Sequence, residues 1–207
     1  MVNIGVLISG NGTNLQAIID GIDKGIINGR IKIVISNRKD AHGLIRAQKA
    51  NIESMFLDPK DYDAATYDQG ILCELKKRDV NLVVLAGYLR ILSKEFIEEY
   101  KNKIINIHPS LIPSFCGKGY YGDRVHRAVL EYGVKYTGAT VHFVDEGTDT
   151  GPIILQEVVR VDENDTVDTL KKKVLEVEHK LLVQAIKLFC QNKLSVKGRL
   201  VRIKNKE

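Results

Sequence analysis

Five short apolar runs, each separated from the next by a segment of helical spacing, constrain this chain more than any other feature. They are Val2–Ile8, Ile31–Ile35, Met55-Phe56-Leu57, Leu82–Ala86 and Ile104–Ile107. Runs that are apolar at nearly every position, rather than at alternate ones, read as strands buried on both faces. Helices are expected from Asn14 to Asp20, over Leu44–Ala50 and over Tyr67–Lys77. Another starts after Ser93, an N-cap with Phe96 three residues on. Strands joined by helices can run parallel, because the helix supplies the crossover. The pattern predicts an α/β fold with a mostly parallel twisted sheet flanked by helices.

After Pro109 the texture changes. Leu111 to Asp123 carries Pro113, Gly117, Gly119 and Gly122 and reads as a loop. A helix from Arg124 to Tyr132 follows, then strands Ala139–Val144 and Ile153–Val161. A long amphipathic helix is expected over Val167–Phe189, its apolar stripe formed by Val167, Leu170, Val174, Val177, Leu181, Ala185 and Leu188. Lys193 to Ile203 predicts a last edge strand. No repeat or low-complexity linker interrupts the chain, so residues 1–207 read as one domain, with a nucleotide- or phosphate-binding half at 1–108 and a closing half at 109–207.

At 44% hydrophobic and 28% charged the composition is that of a globular protein, and it includes no run of about 18 apolar residues. The N-terminus enters strand pattern at once, without a signal peptide's basic start, so a cytoplasmic location is expected. Cys73, Cys116 and Cys190 stand far apart, with neither a CxxC pair nor Cys/His metal spacing, so no disulfide framework and no metal site are expected. The net charge of +5 suits anionic small molecules. Its basic excess lies near the C-terminus without interleaved aromatics, so neither a nucleic-acid nor a membrane partner is expected.

Two stretches carry chemistry. Ser9-Gly10-Asn11-Gly12-Thr13-Asn14 joins a strand to a helix. Glycine permits the sharp turn, and the amides of a helix N-terminus suit a phosphate. The spacing is neither GxGxxG nor GxxxxGK[ST], and a purely structural turn is the alternative. In Asn106-Ile107-His108-Pro109 the alternation of a strand projects Asn106 and His108 to one side, and Pro109 ends the strand. An amide and an imidazole then stand at the C-terminal edge of a parallel sheet, where open α/β folds bind ligands. Asp149 lies in the acidic loop Asp145-Glu146-Gly147-Thr148-Asp149. If it approaches His108, its charge raises the imidazole pKa. Asn106 is suited to donating to a developing oxyanion.

Several ordered stretches resemble the phosphoribosylglycinamide formyltransferase family of purine biosynthesis, which uses 10-formyltetrahydrofolate. They are Ile8-Ser9-Gly10-Asn11-Gly12-Thr13-Asn14-Leu15-Gln16-Ala17, Val84 to Leu92, Asn106 to Leu111, His142-Phe143-Val144 leading to Asp149, and Glu178-His179. The resemblance implies a formyltransferase-type Rossmann-like fold whose second half binds folate and closes the site. It implies transfer of the formyl group to the amine of glycinamide ribonucleotide, with folate as cosubstrate and no metal. Asn106, His108 and Asp149 match the family's catalytic trio. Gly12, Thr13 and Asn14 match its phosphate cradle, and Glu178 an acid that holds the ribonucleotide, although Glu178 also reads as a rim charge reaching water. Leu89, Arg90, Ile91 and Leu92 match one wall of the folate pocket, with Leu89 and Leu92 packing on the pterin; Asn106 and residues Asp145, Glu146, Gly147, Thr148 and Asp149 complete it. Arg90 is implied to meet either the folate tail or a surface acid. A monomer or a homodimer is implied.

Two departures stand out. The stretch Ser114 to Gly122 is longer than the family's short loop, and Ala64 falls where some members carry a folate-contacting arginine. Competing readings are the formyltransferase of initiator methionyl-tRNA, expected to be longer at its C-terminus, and a formyltetrahydrofolate hydrolase, expected to carry an additional N-terminal module. A non-catalytic folate or nucleotide binding module is the third.

Overall fold

The structure, a computed structural model, describes residues 1–63 and 66–204. It divides into two compact units, Met1–Asn106 and Ile107–Glu207. The arginine position considered at Ala64 lies outside the described residues.

The first unit alternates strand and helix throughout: β1 (Val2–Ile8), α1 (Thr13–Asp23), β2 (Gly29–Ser36), α2 (His42–Lys49), β3 (Ser54–Phe56), α3 (Thr66–Lys76), β4 (Leu82–Leu85) and α4 (Lys94–Glu99), with β5 (Ile104–His108) crossing the unit boundary. Its strands lie in the order β3-β2-β1-β4-β5 and pair in parallel. Ile4, Val6, Leu7 and Ile8 of β1 and Leu82, Val83 and Val84 of β4 are fully buried. Burial of such side chains stabilises the fold by roughly 1.5–3 kcal/mol each, which is why these strands are apolar at successive positions. The chain winds outward from β1 through β2 to β3, then returns to β4 on the other side of β1. With right-handed crossovers this puts α1 and α2 on one face of the sheet and α3 and α4 on the other. The helices pack in those pairs. The order reverses between β1 and β4, and beyond the carboxyl ends of those strands lies the crevice in which open sheets of this kind bind ligands.

The second unit contains α5 (Asp123–Tyr132), β6 (Tyr136–Phe143), β7 (Ile153–Arg160), α6 (Val167–Cys190), β8 (Leu194–Lys197) and β9 (Leu200–Ile203). β6 pairs antiparallel with β7, and β7 touches β9 in parallel. The single edge strand expected over Lys193 to Ile203 is instead the β8–β9 hairpin, turned at Gly198 with φ 59°. Glycine reaches that conformation without cost, so one apolar stretch folds back on itself. α6 begins at a capping box formed by Thr166 and Thr169. It packs on β6 and β7 through Leu170, Val174, Val177, Leu181 and Ala185, joined by Leu182 and Ile186. The register between β6 and β7 shifts between Val141 and His142, a bulge that re-aims the strand beside the chemistry described below. No helix among the described residues is long and apolar enough to cross a membrane.

Candidate active site

In the first unit, the loops following β1 and β4 meet at the point where the strand order reverses. Ser9 is 1% exposed and joins them. Its amide donates to Gly87 O (3.2 Å), and its hydroxyl accepts from the Leu89 amide (2.9 Å) and donates to Asn37 Oδ1 (2.7 Å). Gly12 caps α1 at φ 70°, ψ 29°, with no side-chain hydrogen bond to the first turn. The amides of Asn11, Gly12 and Thr13 make no hydrogen bond within the described residues. A helix N-terminus left this way carries partial positive charge and open donors, the requirements of an anion site. Asn14 is buried in the first turn and Thr13 is half-buried.

The segment from Leu89 to Leu92 is pinned at both ends. Ser9 holds the Leu89 amide, and Oδ2 of Asp68 on α3 accepts from the Ser93 amide (2.5 Å). Between these pins Leu89 and Ile91 stand 55% and 68% exposed, a local apolar face turned to solvent. Leu92 is 6% exposed, so its side chain is buried where Leu89 and Ile91 face outward. The Arg90 guanidinium lies 4.5 Å from the centre of the Tyr67 ring, a cation–π contact that turns it towards α3.

β5 carries Asn106 and His108 two residues apart. In the second unit His108 is 4% exposed. Its Nε2 is 3.0 Å from Phe115 O, and its Nδ1 is 3.5 Å from Asp149 Oδ2. Acceptors therefore flank both ring nitrogens. The same Oδ2 accepts from the Gly117 amide (2.9 Å), while Oδ1 lies 3.7 Å from Nε2 of the buried His142. Asp149 itself has φ 58°, a left-handed conformation that aspartate tolerates better than most residues. Two residues on, a Cβ at Gly151 would run into the carbonyl of Phe143, so glycine is required where the loop closes against β6.

The long loop after β5 owes its path to buried polar contacts. Thr140 Oγ1 on β6 donates to Ser110 O (2.6 Å) and accepts from the Ile112 amide (3.1 Å). Gln156 on β7 donates to Ile112 O (3.0 Å) and to Thr140 Oγ1 (2.9 Å). Ser110 donates to Ser114 O (2.6 Å). These bonds deliver the Phe115 carbonyl and the Gly117 amide to His108 and Asp149.

Burial sets the electrostatics. It pulls His108 below the ordinary histidine value, and the charge of Asp149 and the Phe115 carbonyl offset this only in part. As expected, the Asp149 charge acts to raise the imidazole, but desolvation outweighs it and the net shift is towards the neutral form. For Asp149 burial pushes upward, yet the neighbouring His142 imidazole, the charge of His108 and the Gly117 amide together hold it below the usual carboxylate range. The neighbouring His126 on α5 is 3% exposed, and burial and the charge of Lys171 press it down to about 4.

Glu178 sits among the buried residues of α6 at 8% exposed, which removes the rim-charge alternative. In the 145–149 loop, Asp145 Oδ1 accepts from the Gly147 amide (3.2 Å) and the Thr150 hydroxyl (2.5 Å), while Glu146 and Gly147 are exposed and Thr148 is half-buried. Three participants escaped the reading of single residues: His142, the Phe115 carbonyl and the Gly117 amide. His142 had a signal, since it alternates with Thr140 on an apolar strand leading to Asp149. The two backbone groups had none. Among the described residues no cluster of His, Cys, Asp or Glu is arranged to hold a metal ion.

Known proteins resemble this chain in sequence and fold. The sequence pattern of the formyl transferase family matches residues 2–186. Phosphoribosylglycinamide formyltransferase from Haemophilus influenzae is 39% identical over 207 residues, covering 100% of this chain and 95% of that protein. The crystal structure of glycinamide ribonucleotide transformylase 1 from Symbiobacterium toebii superposes with a TM-score of 0.94 at 47% identity, over 99% of this chain and 95% of that one. Other relatives are larger: the chain spans 66% of the chloroplastic phosphoribosylglycinamide formyltransferase of Arabidopsis thaliana and 19% of the trifunctional purine biosynthetic protein adenosine-3 of Gallus gallus. The chain belongs to the formyl transferase family.

Proposed function

We propose that this protein transfers the formyl group of 10-formyltetrahydrofolate to the amine of glycinamide ribonucleotide, giving formylglycinamide ribonucleotide and tetrahydrofolate. The observation that carries the reading is the buried imidazole of His108 at the end of β5, with the Asp149 carboxylate 3.5 Å from its Nδ1. The names of the Haemophilus and Symbiobacterium relatives supply the substrate.

The amine attacks the formyl carbon, the bond from that carbon to the folate nitrogen breaks, and one proton passes from the amine to that nitrogen. Asn106 donates its amide hydrogens to the oxyanion that forms. His108, resting towards neutral, takes up positive charge as the oxyanion develops, and Asp149 stabilises that charge. A ring poised in this way holds and returns a proton, where a permanently charged one only screens. Asp149 is aimed by the Gly117 amide and His142. In the first unit, the amides at Gly12, Thr13 and Asn14 receive the phosphate. The pinned segment Leu89 to Leu92 offers backbone groups and the exposed Leu89 and Ile91 side chains to the pterin. Glu178 binds a ribose hydroxyl, and the Asp145 to Asp149 loop contributes to folate recognition.

Purified protein supplied with 10-formyltetrahydrofolate should release tetrahydrofolate only when glycinamide ribonucleotide is added. Release without the ribonucleotide would indicate a hydrolase, and no release in either case a binding module.

A further inference from the structure

The loop between β1 and α1 is gripped from α2. The Gly43 amide donates to Gly10 O (3.1 Å), and Arg46 Nε donates to the next carbonyl, Asn11 O (2.8 Å). Arg46 Nη1 also reaches Gln16 Oε1 on α1 (3.3 Å). Gly43 and Arg46 are three residues apart and so share one face of α2, with the Arg46 side chain leaning back over Gly43. The backbones touch there: a Cβ on Gly12 would stand 2.6 Å from Gly43 Cα and 3.4 Å from Arg46 Cδ.

The grip has an electrostatic consequence. Within one trans peptide the carbonyl and the N–H point in opposite directions. Tying the carbonyls of Gly10 and Asn11 to α2 therefore aims the N–H groups of Asn11 and Gly12 away from it. These are two of the amides that make no hydrogen bond within the described residues. A carbonyl swung into the same space would repel an anion. No carboxylate among the described residues forms an ion pair with Arg46, so its charge also favours an anion at the loop.

We propose that Arg46 is a positioning residue for recognition of a phosphomonoester: it holds the Asn11 carbonyl away from the anion and so sets selectivity for phosphorylated over unphosphorylated substrate. The proposal rests on reading this loop as the phosphate cradle of the ribonucleotide.

The test compares the unaltered protein with Arg46→Ala and Arg46→Lys, each assayed with glycinamide ribonucleotide and with its dephosphorylated riboside. The alanine variant should raise KM for the ribonucleotide about tenfold, as expected for loss of a charge-assisted hydrogen bond. Its kcat/KM for the riboside should stay within about twofold of the unaltered protein. Lysine, with a donor on a stem of similar reach, should recover most of the loss. An equal loss on both substrates, no loss on either, or a lysine variant no better than alanine would overturn the proposal. Should the unaltered protein fail to formylate the ribonucleotide, the functional reading falls but this one stays testable. Calorimetric titration with ribose 5-phosphate should still show weaker binding to Arg46→Ala, and equal binding would overturn the assignment.

Discussion

The loop after β1 and the loop after β6 present chemistry in opposite ways. The first is built from backbone: glycines, open amides and a helix N-terminus, held by side chains such as Ser9 and Arg46. The second is built from side chains gathered from distant segments, with His108 on β5, His142 on β6 and Asp149 beyond it, trimmed by a carbonyl and an amide from the long loop between. A backbone site is mostly local and needs little burial. A side-chain site that shifts ionisation needs desolvation, which only tertiary structure supplies. The two should therefore fail differently when altered: the first through binding, the second through turnover.

The largest effect is expected in the second region. Replacing His108 with alanine, or Asp149 with asparagine, should lower kcat by about a thousandfold or more, within the range seen for loss of general acid–base groups, with KM for the ribonucleotide nearly unchanged. Steady-state kinetics on protein with an unaltered circular-dichroism spectrum would check this. A comparable rise in KM would break the comparison.

Gly12→Ala should reverse the pattern. The position has φ 70°, and a Cβ there meets the backbone of Gly43. KM for the ribonucleotide should rise roughly tenfold while kcat holds, with a loss of about 1–3 kcal/mol of stability from the strained conformation. Denaturant titration and kinetics read the two separately. Ser9→Ala should act more mildly on the same unit. It removes the partner of the Leu89 amide and the Asn37 carbonyl in a part-buried place, at about 1 kcal/mol. The folate KM should rise a few-fold because the pinned segment loosens, and a folate titration would show it.

The smallest effect concerns pH and sharpens the role of burial. His126 titrates at about 4 in the folded protein, against an ordinary value near 6.5 in the unfolded chain. As pH falls below about 6.5 the unfolded chain takes up this proton first, so the stability contributed by the neutral ring declines until the folded ring is also protonated. At pH 5 the loss is about 2 kcal/mol. His126→Leu should therefore shrink the fall in Tm between pH 7.5 and pH 5 by about 5 °C, measured by thermal unfolding.

The same contrast explains what the sequence made legible. The strands of the first unit were visible because their residues are buried on both faces, and Ser93 was legible as an N-cap because its hydroxyl bonds the Phe96 amide as the spacing requires. Asn106, His108 and Asp149 were named from strand alternation and from family resemblance. Their electrostatics were not legible, since the balance between Asp149 and burial at His108 depends on how much water the fold removes. The burial of Leu92 beside the exposed Ile91 was not legible, because an irregular segment has no period from which to read its inward side. The Phe115 carbonyl and Gly117 amide are backbone groups delivered by Thr140 and Gln156 contacts, which no motif encodes.

The separation of binding from chemistry is tested most directly by the affinity of His108→Ala for glycinamide ribonucleotide, measured by calorimetry beside the unaltered protein. The account predicts dissociation constants within about twofold of each other while turnover is lost. A loss of binding that matches the loss of turnover would contradict it.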